Sequence, residues 1–222
     1  FTILEAWKGI KSTKLLNESS PQVVEQIIDE SLLLAAREYE VADRFSNVVA
    51  SMELSLCKEI AINHFDFMKQ FDFKVLDTEF SFTKEVEGIK FPLRIDLVIE
   101  MDGKIYTIDL KRSKNVKDAW INKNNTPDSM QLPIYSVLGE YNGIKIEGLG
   151  LAKIHSDVTD MKIMGTSQGQ GNVLSNEEWA SNISEWKFKL KNVLQGFVSG
   201  DINGVAKKPN TPFERRVQAL NN

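Results

Sequence analysis

The sequence is poor in the residues that build cofactor centres: 222 residues hold one cysteine, Cys57, and two histidines, His64 and His155. A single thiol excludes an intrachain disulfide, a cysteine-rich zinc site and a cysteine-ligated iron–sulfur cluster. Two histidines exclude a site built from several imidazoles. Cys57 lies in an apolar-periodic stretch, where a buried thiol is expected. Any metal must then be held mainly by oxygen, which points to magnesium or manganese. Long apolar runs are also missing. None approaches the length of a membrane span and no basic-then-apolar leader opens the chain, so the expectation is a cytoplasmic protein without membrane contact. Nor is there an excess of positive charge. The formal net charge of −4 argues against a surface coated for tight nucleic-acid binding. It leaves room for local handling of DNA through bound cations and a few lysines.

What the chain does have is 42% hydrophobic residues, enough for one core, and no repeat or linker that would divide it. The expectation is a single domain over residues 1–222, excised from a longer protein. The first seventy or so residues read as helical. Ile3, Leu4, Trp7 and Ile10 fall at helical spacing, and Ser20-Pro21 is a start signal followed by Val23, Val24, Ile27, Ile28 and Leu32 on one face. A further helix is expected from about Asp43 to Phe71, with Met52, Leu56, Ile60 and Phe67 inward. The period then changes. Val75 to Phe82 alternates as a half-buried strand, and Leu93–Met101 and Lys104–Lys111 are two strands joined by Asp102-Gly103, a strong hairpin signal. Lys114 to Asn125 reads as a polar loop, Thr126-Pro127 as the start of a helix to about Tyr141, and Gly148 to Ile154 as a buried strand. Asp157 to Asn172 reads as an irregular loop or a weak hairpin. Ser175 and Glu178 form a capping box for a helix to Ser199, with Trp179, Ile183, Trp186, Leu190 and Leu194 inward. The last twenty residues are polar and are expected to fray.

The Asp102-Gly103 hairpin carries the chemistry. With a two-residue loop, Met101 faces Lys104, and counting outward sets Asp96 opposite Asp109 and Arg94 opposite Lys111. Alternation then gives Ile95, Leu97, Ile99, Met101, Tyr106, Ile108 and Leu110 one apolar face, and Asp96, Asp109 and Lys111 the other. Facing carboxylates at ~5 Å repel by roughly 3 kcal/mol at an effective dielectric near 20. A divalent cation reverses that sign, since two carboxylates and the Leu110 carbonyl make a hard-cation site. Lys111 points the same way and suits a phosphate's developing charge. These are the parts that phosphodiester hydrolysis needs. The bland alternative is an exposed hairpin face on which Arg94 and Lys111 neutralise the two aspartates.

Arg94-Ile95-Asp96-Leu97-Val98, followed by Thr107-Ile108-Asp109-Leu110-Lys111, resembles the core motif of the PD-(D/E)XK nucleases. Gln131-Leu132-Pro133-Ile134-Tyr135 resembles the Q-x-x-x-Y motif of the RecB-like branch, which includes AddB-type and mitochondrial genome maintenance nuclease domains. The resemblance implies an α/β fold, a central mixed β-sheet flanked by helices. It implies an exonuclease acting on DNA in repair or recombination, working with Mg2+ or Mn2+ and beside a helicase or repair-complex partner. Asp96 and Asp109 would be metal ligands, Lys111 the catalytic lysine, and Glu79 an acidic residue holding metal-bound water. Gln131 and Tyr135, four apart on one helix face, would organise the site and touch DNA. Lys114 and Lys117 are candidate phosphate contacts, or plain loop charges.

One departure stands out. RecB-like domains carry a histidine in an H-x-x-L-E context near the N-terminus, and Phe1-Thr2-Ile3-Leu4-Glu5 has phenylalanine there. His64, far along the chain, reads better as a satisfied helix histidine than as a substitute ligand. The departure keeps a second reading open, a degenerate DNA-binding or scaffolding domain of a repair complex. A third, a carboxylate-pair hydrolase such as a glycosidase, has no need of Lys111.

Overall fold

The structure, a computed structural model, describes residues 1–41, 46–112, 131–157, 159–166 and 172–200. Its first helices begin where the sequence supplies caps. Helix α1 spans Thr2–Ile10. Ser12 opens α2 (Thr13–Glu18) by accepting from the Leu15 amide, and Ser20 opens α3 (Pro21–Glu38) by accepting from the Val23 amide, with Pro21 in the first turn. Helix α4 covers Asn47–Met68; the start expected near Asp43 lies outside the described residues. Its inward face is Ala50, Ile60, Ala61, His64, Phe65 and Met68. Met52, expected on that face, is 68% exposed along with Val48 and Val49, because the first turns of α4 run past the core.

Strands β1 (Lys74–Val86), β2 (Ile89–Met101) and β3 (Lys104–Lys111) follow. Then come α5 (Gln131–Leu138), β4 (Glu140–Tyr141), β5 (Ile144–Ile154), β6 (Thr159–Gly165), β7 (Asn172–Val173) and α6 (Asn176–Val198). The main sheet runs β1-β2-β3-β5-β6-β7, with β4 paired to β5. Neighbours are antiparallel except β3/β5 and β6/β7, which are parallel. This is the expected α/β fold with a central mixed sheet flanked by helices. Among the described residues no helix is long and apolar enough to cross a membrane.

Three turns share one backbone solution. Glu87-Gly88, Asp102-Gly103 and Asn142-Gly143 all have positive φ at both positions, as a twisted two-residue hairpin requires. The Asn142-Gly143 turn folds β4 back on β5, so α5 stops at Leu138 rather than near Tyr141; its expected start at Thr126 lies outside the described residues. Thr159–Gly165, within the stretch expected to be an irregular loop or a weak hairpin, is a strand bonded along β5. Its Met161 and Ile163 face one core and its Met164 the other, which is why so short a segment holds.

The sheet is buried on both faces, not one. Leu97, Ile99, Met101, Tyr106 and Ile108 pack under α1, α3 and α4. Ile95, Val98, Ile105, Leu149 and Leu151 pack with α5 and α6, whose Trp179 and Trp186 cover them. Helix α6 starts at the expected capping box, with Ser175 and Glu178 each satisfying the other's backbone.

Candidate active site

The β2/β3 hairpin register matches the sequence count from Met101/Lys104 to Leu97/Ile108, and there the ladder ends. Continuing it would pair Ile95 with Leu110 and Asp96 with Asp109. Instead the Leu110 amide donates to Asp96 Oδ2 at 2.9 Å, so a side chain replaces the partner backbone. The substitution has a visible consequence: Ile95 belongs to the α5/α6 core while Leu97 belongs to the opposite one. Strict alternation along β2 therefore fails at Asp96. The expectation of one outward face shared by Asp96, Asp109 and Lys111 is corrected accordingly. Asp96 lines a cavity together with Leu110, whereas Asp109 is 2% exposed and is reached by Gln131 of α5, with the Asp96 charge still acting on it.

Asp109, Lys111, Gln131 and Tyr135 form one connected network. Lys111 Nζ lies 2.7 Å from Asp109 Oδ2 and donates to Gln131 Oε1 at 2.9 Å. Gln131 Nε2 donates to Asp109 Oδ1 at 2.9 Å and to the Tyr135 hydroxyl at 3.0 Å. That hydroxyl in turn donates to the Arg94 carbonyl at 2.6 Å, tying α5 to β2. The four-residue spacing of Gln131 and Tyr135 puts both on the helix face turned to the strands. Burial, and after it the charges of Asp109 and Asp96, push the Tyr135 hydroxyl up, which keeps it a donor.

The electrostatics are set by Asp109. Burial raises its carboxyl above the ordinary carboxylate range, Lys111 opposes the rise, and the Asp96 charge adds to it. Oδ2 of Asp109 is a buried oxygen whose one close partner is the Lys111 ammonium. Arg94 does not neutralise Asp96, as the bland alternative requires; its guanidinium lies 3.5 Å from Glu79.

Glu79 sits on β1 where the register would set it opposite Asp96, but it drops out of the ladder with φ of +54°. A left-handed conformation is costly for a residue with a side chain, and such strain gathers at functional sites. Glu79 lines the same cavity of about 310 Å³ as Asp96, Arg94 and Leu110. Phe1, singled out in the sequence as the departure from the histidine pattern, lines it too, as do Tyr39 and Arg112, which carried no signal because they reach the cavity only through tertiary packing. His64 is elsewhere, fully buried, accepting from Trp7 Nε1 at 3.1 Å, and burial lowers its pKa to about 3. Lys114 and Lys117 lie outside the described residues.

Among the described residues no three of His, Cys, Asp and Glu form a cluster that would hold a metal by themselves. Magnesium does not need one. It binds through one or two carboxylates and completes its shell with water and substrate oxygens. Asp96 and Asp109 are hard oxygen donors of that kind, and the buried Oδ2 of Asp109 already faces a cation, the Lys111 ammonium. The donor chemistry fits a divalent ion.

No curated protein matches the chain. A solved structure, that of SSO0001, is similar at 20% identity over 72% of this chain and 71% of that one, with a TM-score of 0.31, too low to bear on the site. The family comparison is of another order. A match to the PD-(D/E)XK nuclease superfamily runs over residues 3–205, taking in the whole β2/β3 hairpin and α5, and with it the chain belongs to the PD-(D/E)XK nuclease superfamily.

Proposed function

We propose that the chain hydrolyses phosphodiester bonds of DNA from strand ends, as a RecB-like exonuclease of repair or recombination that works beside a helicase-type partner. One observation carries this reading: Asp109, Lys111 and Gln131 close a circuit at the end of β3, next to an Asp96 that has left its own ladder. Superfamily membership supports nuclease chemistry. The RecB-like branch and the preference for ends rest on the Gln131/Tyr135 spacing and its likeness to that branch.

In this reading Asp96, Asp109 and the Leu110 carbonyl hold Mg2+ or Mn2+. When bound, such an ion supplies Lewis acidity for the phosphate and for a water. Lys111 Nζ, 39% exposed and shared between Asp109 and Gln131, stabilises charge that develops on a phosphate oxygen. Gln131 sets the position of both partners through its two ends. Tyr135 anchors α5 on the Arg94 carbonyl and so fixes Gln131. Glu79, which lines the same cavity as Asp96 and Leu110, accepts a hydrogen bond from the attacking water.

Cleavage of end-labelled single- and double-stranded DNA in manganese tests this. Asp109→Ala and Lys111→Ala should each lose on the order of 10²-fold or more in kcat, with folding checked by circular dichroism. Cleavage that persists unchanged in both variants overturns the assignment. The reading of a DNA-binding domain without turnover is favoured by Phe1, which lines the cavity where the RecB-like pattern has histidine. It predicts that the wild type binds DNA but cuts none in either metal.

A further inference from the structure

Two cavities, of about 310 and 490 Å³, adjoin each other at Thr2, Tyr39, Cys57 and Arg112. The first holds Glu79, Asp96 and Leu110; the second is a mainly apolar chamber between α3 and α4 lined by Leu32, Ala35 and Leu54, with Glu53 also in its wall. At their junction Tyr39 is 52% exposed and its ring forms a T-shaped pair with that of Phe1, centroids 5.7 Å apart at 83°. Tyr39 caps α3, its amide donating to the Ala35 carbonyl while the Glu40 amide donates to that of Arg37, so the end of the helix sets where the ring stands. Exposed Arg112 follows β3 directly and lines both cavities. The other cation of the first cavity, Arg94, is already paired with Glu79.

We propose that this junction is a subsite for one unpaired nucleotide of a DNA single strand, with the Tyr39 ring as its stacking platform and Arg112 as its phosphate contact. The proposal rests on the nuclease reading above and goes beyond it by naming the strand form the site takes. An exposed aromatic side chain and a guanidinium lining one cavity are the groups by which proteins hold single strands, because every base has a π-face to offer. In a duplex those faces are stacked on one another and cannot reach a side chain without flipping. The volume next to the carboxylates suits one small ligand at a time. The apolar chamber beyond Tyr39 gives the next base a place out of water.

The test is kcat/KM in manganese on a short oligodeoxynucleotide and on the blunt duplex of the same sequence, for wild type, Tyr39→Phe and Tyr39→Ala. Wild type should favour the single strand. Tyr39→Ala should raise KM on it about ten-fold, with a smaller effect on the duplex, and Tyr39→Phe should recover most of the loss. A readout without turnover comes from Cys57, the only cysteine of the chain and a lining residue of both cavities. In EDTA the oligodeoxynucleotide should slow alkylation of Cys57 by N-ethylmaleimide in wild type and not in Tyr39→Ala. Wild type that cuts both substrates while Tyr39→Ala loses equally on the two, or loses nothing, overturns this inference alone. So does Cys57 alkylation indifferent to the oligonucleotide. Wild type that cuts neither substrate overturns the nuclease reading and this inference with it.

Discussion

Asp109 is held in the folded chain against its own preference. Burial, offset by Lys111 and reinforced by the Asp96 charge, sets its folded pKa above the value it has in the unfolded chain. A carboxyl raised in this way favours the fold while protonated, and that advantage disappears as the pH climbs through the folded pKa. At neutral pH the ionised side chain therefore opposes folding. Asp109→Asn removes the charge and keeps an oxygen for Gln131 Nε2. Its melting temperature at pH 7 in EDTA should equal or exceed that of wild type, although cleavage is lost. A melting temperature several degrees lower would mean that the carboxylate is a structural residue. Asp96 is a different case, since its Oδ2 satisfies the Leu110 amide. It serves the backbone as well as the site.

The β3 strand reaches the site because its neighbours make room for it. Tyr106 is 1% exposed and lies over Gly148 of β5 and Gly165 of β6, which face each other across the ladder. A Cβ at either glycine would overlap the Tyr106 ring. Gly148→Ala should cost roughly 1–3 kcal/mol by overpacking, read in urea denaturation, and should loosen the strand that carries Asp109 and Lys111. The same scale shows what the sequence could disclose. The β2/β3 hairpin was legible because Asp102-Gly103 lies between two alternating runs. Glu87-Gly88 makes the same turn but was not, since glutamate carries no turn preference. Asn142-Gly143 has the right residues, yet the apolar positions before it continued the helical period past Leu138. Short spacings such as Asp109/Lys111 and Gln131/Tyr135 identified side chains that do meet. The break in β2 at Asp96 could not be read, because it depends on which core each neighbouring residue joins. Tyr39 and Arg112 stand at the cavity only through long-range packing.

Two helical layers enclose the sheet, and the α1/α4 layer closes around His64. Its fully buried imidazole accepts from Trp7, and burial lowers its pKa to about 3 from the ordinary 6.5. Between those values the unfolded chain takes up a proton that the folded chain refuses, so the His64 contribution is level above 6.5 and lowers stability as the pH falls below it. The slope from one such group is about 1.4 kcal/mol per pH unit. His64→Gln keeps an acceptor for Trp7 and does not titrate. Melting temperatures measured between pH 6.5 and 5 should fall for wild type and fall less for the variant; parallel curves would remove His64 as the cause.

Among the described residues β1 is the outermost strand at one side of the sheet and is thirteen residues long. A straight strand of that length would invite a second copy to add its own backbone alongside. The register slips between Val75 and Asp77, and Glu79 turns out of the pleat two residues later. An approaching chain therefore meets a bent margin whose donors and acceptors fall out of step. The contortion that turns a carboxylate toward the cleft also guards the protein against fibrous self-association.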